Sequence, residues 1–117
     1  MVRAMTDSGA EVHDLSALDA RQAAEGRRYL EFLRVPAMSA GLYALSAGAA
    51  DPQRPHAEDE LYHVVAGRAV LRIGEEDHPV AAGSVCFVPA RVPHRFHSIT
   101  EDLRVLVVFA PSETPEP

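Results

Sequence analysis

Apolar and polar positions alternate in short runs along most of this chain. Tyr29 to Val35 alternates loosely and stops at Pro36, and Ser39 to Ser46 alternates again around Leu42, Tyr43 and Leu45. From Leu61 the pattern repeats at close intervals. Leu61–Ala66 runs to Gly67, and Ala69–Ile73 runs to a turn over Gly74-Glu75-Glu76-Asp77. A run through Val80 ends at Ala82-Gly83, and Ser84–Val88 ends at Pro89. Phe96–Ile99 ends near Glu101-Asp102, and Leu103–Ala110 closes the series with the unbroken Val105-Leu106-Val107-Val108. A period of two puts successive side chains on opposite faces of a strand. Many such runs, punctuated by Gly, Pro and acidic turns, predict an all-β sandwich or small barrel.

One segment departs from this period. Residues 14–26 are rich in Ala, with Asp14 or Ser16 as a cap and Gly26 as a stop, which predicts a short N-terminal helix. Ala50-Asp51-Pro52-Gln53-Arg54-Pro55 is loop chemistry, because two prolines fix φ and remove backbone donors. Residues 1–13 show no period and are expected to form a flexible N-terminus. The acidic, proline-rich residues 111–117 are expected to form a disordered C-terminal tail. That leaves a single domain over residues 14–110, with no internal repeat and no linker.

Composition narrows the class. At 117 residues the chain is long enough for one core and too short for two. No apolar run approaches the ~18 residues of a membrane helix. The stretch Met1 to Glu11 lacks the basic-then-apolar order of a secretion signal, so the expected location is the cytoplasm. The net charge is −6 and the basic residues are scattered, with only Arg27 and Arg28 together, which argues against a nucleic-acid partner. Cys86 is the sole cysteine, so neither an internal disulfide nor a cysteine-based zinc site is available. Its place in Val85-Cys86-Phe87-Val88 predicts a small core residue.

Two segments concentrate side chains able to bind a metal: Arg54 to Gly67, which holds His56, Glu60 and His63, and Gly83 to Ser98, which holds His94 and His97. An ion needs its donors ~2.0–2.2 Å away, so they must converge. On one straight strand His56 and Glu60 would stand ~13 Å apart. A turn at Ala57-Glu58-Asp59 is therefore expected, with His56 ending one strand and Glu60 beginning the next. His94 follows Pro93 at the start of another strand, where its ring can point inward. His63 and His97 lie an odd number of residues from Glu60 and His94, which puts them on the opposite face. His13 and His78 are expected at the surface, and Glu58 and Asp59 as solvated turn acids. Tyr43, Tyr62, Phe87 and Phe96 are expected to line a pocket or fill the core.

These segments resemble the two motifs of the cupin superfamily, and small single-domain bacterial cupins in particular. Gly48, His56, Glu60 and Gly67 fit the first motif, and Gly83, Pro89 and His94 fit the second. The resemblance spans roughly Leu30 to Ala110. It implies a cupin β-barrel, that is, a jelly roll or double-stranded β-helix. The family's usual three-histidine, one-glutamate metal set is incomplete here. Arg54 stands at the first histidine position, Arg91 at a later glycine and Ser98 at the asparagine. A guanidinium cannot ligate a metal. The implied set is thus His56, Glu60 and His94, a two-histidine, one-carboxylate arrangement with open positions, and Gln53 is a weak fourth candidate.

Two functions follow. One is an enzyme of dioxygenase, isomerase or cyclase type, the first of these favoured. It would carry one divalent transition metal ion per chain (Fe, Mn, Ni, Zn or Cu), with Glu60 at the reacting centre and Arg54 clamping an anionic substrate. The other is a non-catalytic small-molecule-binding barrel whose metal site has lapsed, with Arg54 paired to Glu60. Small cupins commonly dimerise, and Tyr29–Leu45 offers an edge that needs covering, so a homodimer is expected.

Overall fold

The computed structural model describes residues 8–114. Helix α1 (Leu15–Glu25) is followed by strands β1 (Tyr29–Val35), β2 (Met38–Leu45), β3 (Asp59–Ile73), β4 (Glu76–Ala81), β5 (Val85–Val88) and β6 (His94–Ala110). All neighbours in the sheet are antiparallel, in the order β1-β2-β6-β3-β4, with β5 also paired to β3. The helix starts where expected. Asp14 accepts a hydrogen bond from the Ser16 amide at 3.0 Å, and Gly26 closes the other end. Its buried Gln22 donates to the carbonyls of Arg28 and Leu42, pinning the helix to the outside of β2.

The long strands revise the sequence reading. Leu61–Ala66 and Ala69–Ile73 belong to one strand, β3, and Phe96–Ile99 and Leu103–Ala110 belong to another, β6. The expected turn over Gly74–Asp77 shrinks to Gly74-Glu75, since Glu76 and Asp77 already pair with Ile73 and Arg72. Breaks of register between Val64 and Val70 show why a break was expected near Gly67. A β-bulge adds an unpaired residue and bends a strand without ending it.

That bend makes the barrel. Glu60 pairs with Phe109 at one end of the β3–β6 ladder, and Ile73 pairs with His94 at the other. A straight strand would part those ends by about 40 Å. Instead Glu60 and His94 lie in contact, so the ladder folds back on itself and its two halves face each other. Gly67 sits at the fold with φ +97°, and a Cβ there would come within 2.7 Å of the Leu103 Cα. The core lies between the halves, built from inward residues such as Tyr62, Val64, Leu71, Phe96, Val105 and Val107. Cys86, expected within this core, is half-buried at its edge. No helix among the described residues is long and apolar enough to cross a membrane.

Candidate metal centre

Alternation along β3 turns Glu60 inward with Tyr62 and Val64, and leaves the residue 1% exposed. His94 opens β6 and is also buried. Its Nδ1 lies 2.9 Å from the Val92 carbonyl, which fixes the tautomer by accepting the ring proton. Nε2 is thereby aimed at Glu60 Oε1, 2.9 Å away. At this distance the two groups form an ion-pair contact when the ring is protonated. Both Glu60 oxygens and the His94 Nε2 remain buried without a hydrogen-bond partner. Burial pulls the His94 ring down, but Glu60, the Val92 carbonyl and Asp51 together hold it above its ordinary pKa.

His56 arrives differently from the expectation. It ends no strand, but lies in the 46–58 loop between β2 and β3. The loop is built around the buried Asp51. That carboxylate accepts from the Tyr43 hydroxyl at 2.5 Å, the Phe96 amide at 2.9 Å and the Gln53 side chain at 2.7 Å. Burial, then this carboxylate, holds the Tyr43 hydroxyl far above its usual pKa, so it stays a donor. Gln53 in turn accepts from the Tyr62 hydroxyl at 3.0 Å, and its oxygen lies 3.4 Å from His56 Nε2. The Arg91 amide donates to the His56 carbonyl at 2.6 Å, tying the two motif segments together. Arg91 has φ 65° and Ser98 has φ 51°. This left-handed conformation explains why the family pattern places Gly and Asn at these positions.

One ligand atom from each of His56, Glu60 and His94 lies within 4.8 Å of the others. Three converging donors, with three orphaned polar atoms among them, fit a divalent cation: burying a carboxylate without partners is costly unless a positive charge compensates it. Arg54 does not supply that charge. It is exposed and pairs with no described carboxylate, so the expected Arg54–Glu60 pair of a lapsed site is not formed.

A cavity of about 430 Å³ opens beside the cluster, with His56, Glu60, Val107 and Phe109 in its wall and Arg28 and Arg54 around it. Three of its residues escaped the sequence reading. Arg28 had no motif to mark it. Tyr29 was legible only as a strand residue, yet its ring lies over Gly41, and its hydroxyl is buried without a partner. Glu113 belongs to the stretch assigned to the tail. Residues 111–114 run along the barrel, where Glu113 Oε2 lies 3.3 Å from His56 Nδ1. Burial, then Glu60, Glu31 and Glu58, pushes the Glu113 carboxyl up to about 7.

The other histidines lie away from the cluster. His63 and His78 are exposed, and His97 contacts Asp77 at 2.9 Å. His13, expected at the surface, is half-buried against Phe32 and Glu11. Glu58, expected to be solvated, is buried and accepts from Thr114 at 2.6 Å, while Asp59 is exposed and accepts from the Ala90 amide. Tyr43, Tyr62 and Phe96 join the core, and Tyr43 also lines the cavity, whereas Phe87 is 57% exposed and borders a separate surface pocket.

Comparison with known proteins agrees with this architecture. An uncharacterized protein of Streptomyces coelicolor is 58% identical over 100 residues, covering 86% of this chain and 95% of that one. The TT1209 protein of Thermus thermophilus superposes with a TM-score of 0.68 at 33% identity, covering 88% of this chain and 99% of that one. The EutQ protein of Clostridium difficile shares the fold at 18% identity, with a TM-score of 0.74 over 95% of this chain and 87% of that one. The cupin domain matches residues 41–109, from the strand beneath Tyr29 to the one that ends beside Glu60. With both motifs lying on a folded-back β3–β6 ladder, and most of the barrel inside that match, this chain belongs to the cupin family.

Proposed function

We propose that this cupin holds one divalent transition metal ion through His56, Glu60 and His94 and acts on a small anionic molecule bound in the adjacent cavity. The observation that carries the reading is the convergence of Glu60 and His94, buried and in ion-pair contact but with neither Glu60 oxygen nor His94 Nε2 hydrogen-bonded, beside His56. Two imidazoles and a carboxylate suit Fe, Mn, Ni, Zn or Cu. When bound, such an ion supplies Lewis-acid polarisation of a chelating oxygen or chemistry with dioxygen.

The chain's own residues do the rest. The Val92 carbonyl keeps Nδ1 of His94 protonated and Nε2 free to ligate. Arg54 and Arg28, both exposed and free of described ion pairs, offer forked donors to an anion entering the cavity. Tyr29 offers a phenolic proton, which burial, then Glu113, Glu31 and Glu60, keeps in place by raising its pKa. Val107 and Phe109 give the cavity an apolar wall. Its volume lies within the ~300–1,000 Å³ typical of small-molecule sites. The reaction class is a dioxygenase, isomerase or cyclase, with the dioxygenase first.

In this reading the chain works in the cytoplasm as a homodimer. β1 is a sheet edge, and the paired Leu61 and Phe87 expose apolar surface next to Val85. The mass in solution checks the dimer. The functional reading is tested by calorimetric titration of the Mn(II)-loaded protein with oxalate, a small chelating dianion. Wild type should bind it, and Arg54→Ala should bind at least about tenfold more weakly, the loss of one charge-assisted contact. Equal affinity in the two proteins removes Arg54 from the site.

A further inference from the structure

We infer that Glu113 is the positioning residue for His56, so that the chain's C-terminal strap is part of the metal site. The inference rests on the metal reading above and adds a residue from outside both family motifs.

The strap is held at several points. The Glu113 amide donates to Ser39 Oγ at 2.9 Å, and Ser39 is fully buried in β2. The Glu113 carbonyl accepts from Arg34 Nη2 at 2.8 Å, from β1. Thr114 donates its hydroxyl to the buried Glu58 at 2.6 Å, in the loop that carries His56. These contacts flank Glu113 on both sides and hold its carboxylate over the cavity, where its side chain is 21% exposed. The carboxylate meets His56 at Nδ1, at 3.3 Å.

A metal-binding imidazole gives one nitrogen to the ion and its other N–H to a carboxylate or carbonyl, which fixes ring and tautomer. His94 has this arrangement, with the Val92 carbonyl on Nδ1. For His56 the group in the corresponding place is Glu113, in ion-pair contact with Nδ1 at 3.3 Å rather than hydrogen-bonded to it. Nε2 keeps only a long hydrogen-bond contact, 3.4 Å, with Gln53 Oε1, a contact that an ion bound at Nε2 would replace. Phe109 supports the ring edge-to-face, 4.8 Å between centroids, without supplying a polar partner. His56 also stands on a loop, whereas Glu60 and His94 stand on strands. It is therefore the ligand whose orientation depends most on a group outside its own element. With Arg54 in place of a further histidine, that loop offers Gln53 as a weaker donor and no second imidazole to make up for a misplaced ring.

The test uses the full chain and Co(II) alone, followed by visible absorption, which reports both affinity and coordination geometry. Wild type should bind one Co(II). Glu113→Gln should bind about 10–100-fold more weakly, the usual loss for an outer partner of a ligand, with a shifted visible spectrum. Glu113→Asp should recover part of the affinity. The thermal midpoint of the metal-free variants should stay with wild type. Wild-type binding with Glu113→Gln within twofold and the same spectrum overturns the inference alone. Weakening that comes with an unchanged spectrum and no recovery in Glu113→Asp also overturns it, leaving the strap a structural tie. No Co(II) bound by wild type overturns the metal reading and this inference together.

Discussion

At Glu60 the chain keeps a glutamate 1% exposed with neither carboxylate oxygen hydrogen-bonded, and at His94 it keeps a raised imidazole pKa beside it. The sign of the pH dependence follows. In the metal-free protein the protonated ring adds stability below the ordinary histidine pKa of ~6.5, and that stability is lost as pH rises through the raised value. A bound ion requires the neutral ring, so its stabilisation has the opposite slope. The increase in Tm given by saturating Ni(II) should therefore be several degrees larger near pH 8.5 than near pH 6. An equal or smaller increase at the higher pH would contradict a site that includes His94. At this scale the triad was legible, because residue type and motif spacing singled out all three members. Glu113 and Tyr29 were not. Nothing local marks a glutamate among prolines as docked, and nothing in the alternation of β1 reveals that Tyr29 rests on a glycine of the next strand.

At the scale of elements, the sequence reading divided two long strands into four, and the reason is physical. Gly67, Ser98 and Glu101-Asp102 have turn chemistry, but here they serve bulges and a bend within β3 and β6. A bulge and a turn draw on the same residues, and only the partner strand distinguishes them. Gly67 carries the bend because its φ of +97° excludes side chains and the Leu103 backbone leaves no room for a Cβ. Strained backbone costs roughly 1–3 kcal/mol, and forced overpacking adds ~1–3 kcal/mol. Gly67→Ala should accordingly lose about 2–6 kcal/mol in urea unfolding. It should also weaken metal binding, since the bend brings Glu60 to His94. A loss under about 1 kcal/mol would show that the fold-back does not depend on this residue. The helix, by contrast, was legible almost to the residue, because Asp14 and Gly26 are caps whose chemistry is local.

For the molecule as a whole, strand patterns alone predicted a sandwich or small barrel and went no further. Period two specifies the two faces of each strand, not which strands meet. The contact between Glu60 and His94 joins opposite ends of one ladder, and no local window contains it. Motif order and spacing supplied that information, and the cupin match over residues 41–109 agrees with it. The same limit explains Phe87. Its run reads as apolar throughout, yet β5 is a short strand paired on one side, and one of its faces is left in solvent.

The proposed function stands on an ion held between the two halves of the barrel by His56, Glu60 and His94. Elemental analysis of purified wild-type protein beside His94→Ala tests it most directly. About one transition metal ion per chain is expected in wild type, with loss of that ion in His94→Ala, as removal of one of three ligands requires. Wild-type protein that carries no metal, even after reconstitution with Fe(II), Mn(II), Ni(II) and Zn(II), would contradict it, as would full metal retention by His94→Ala.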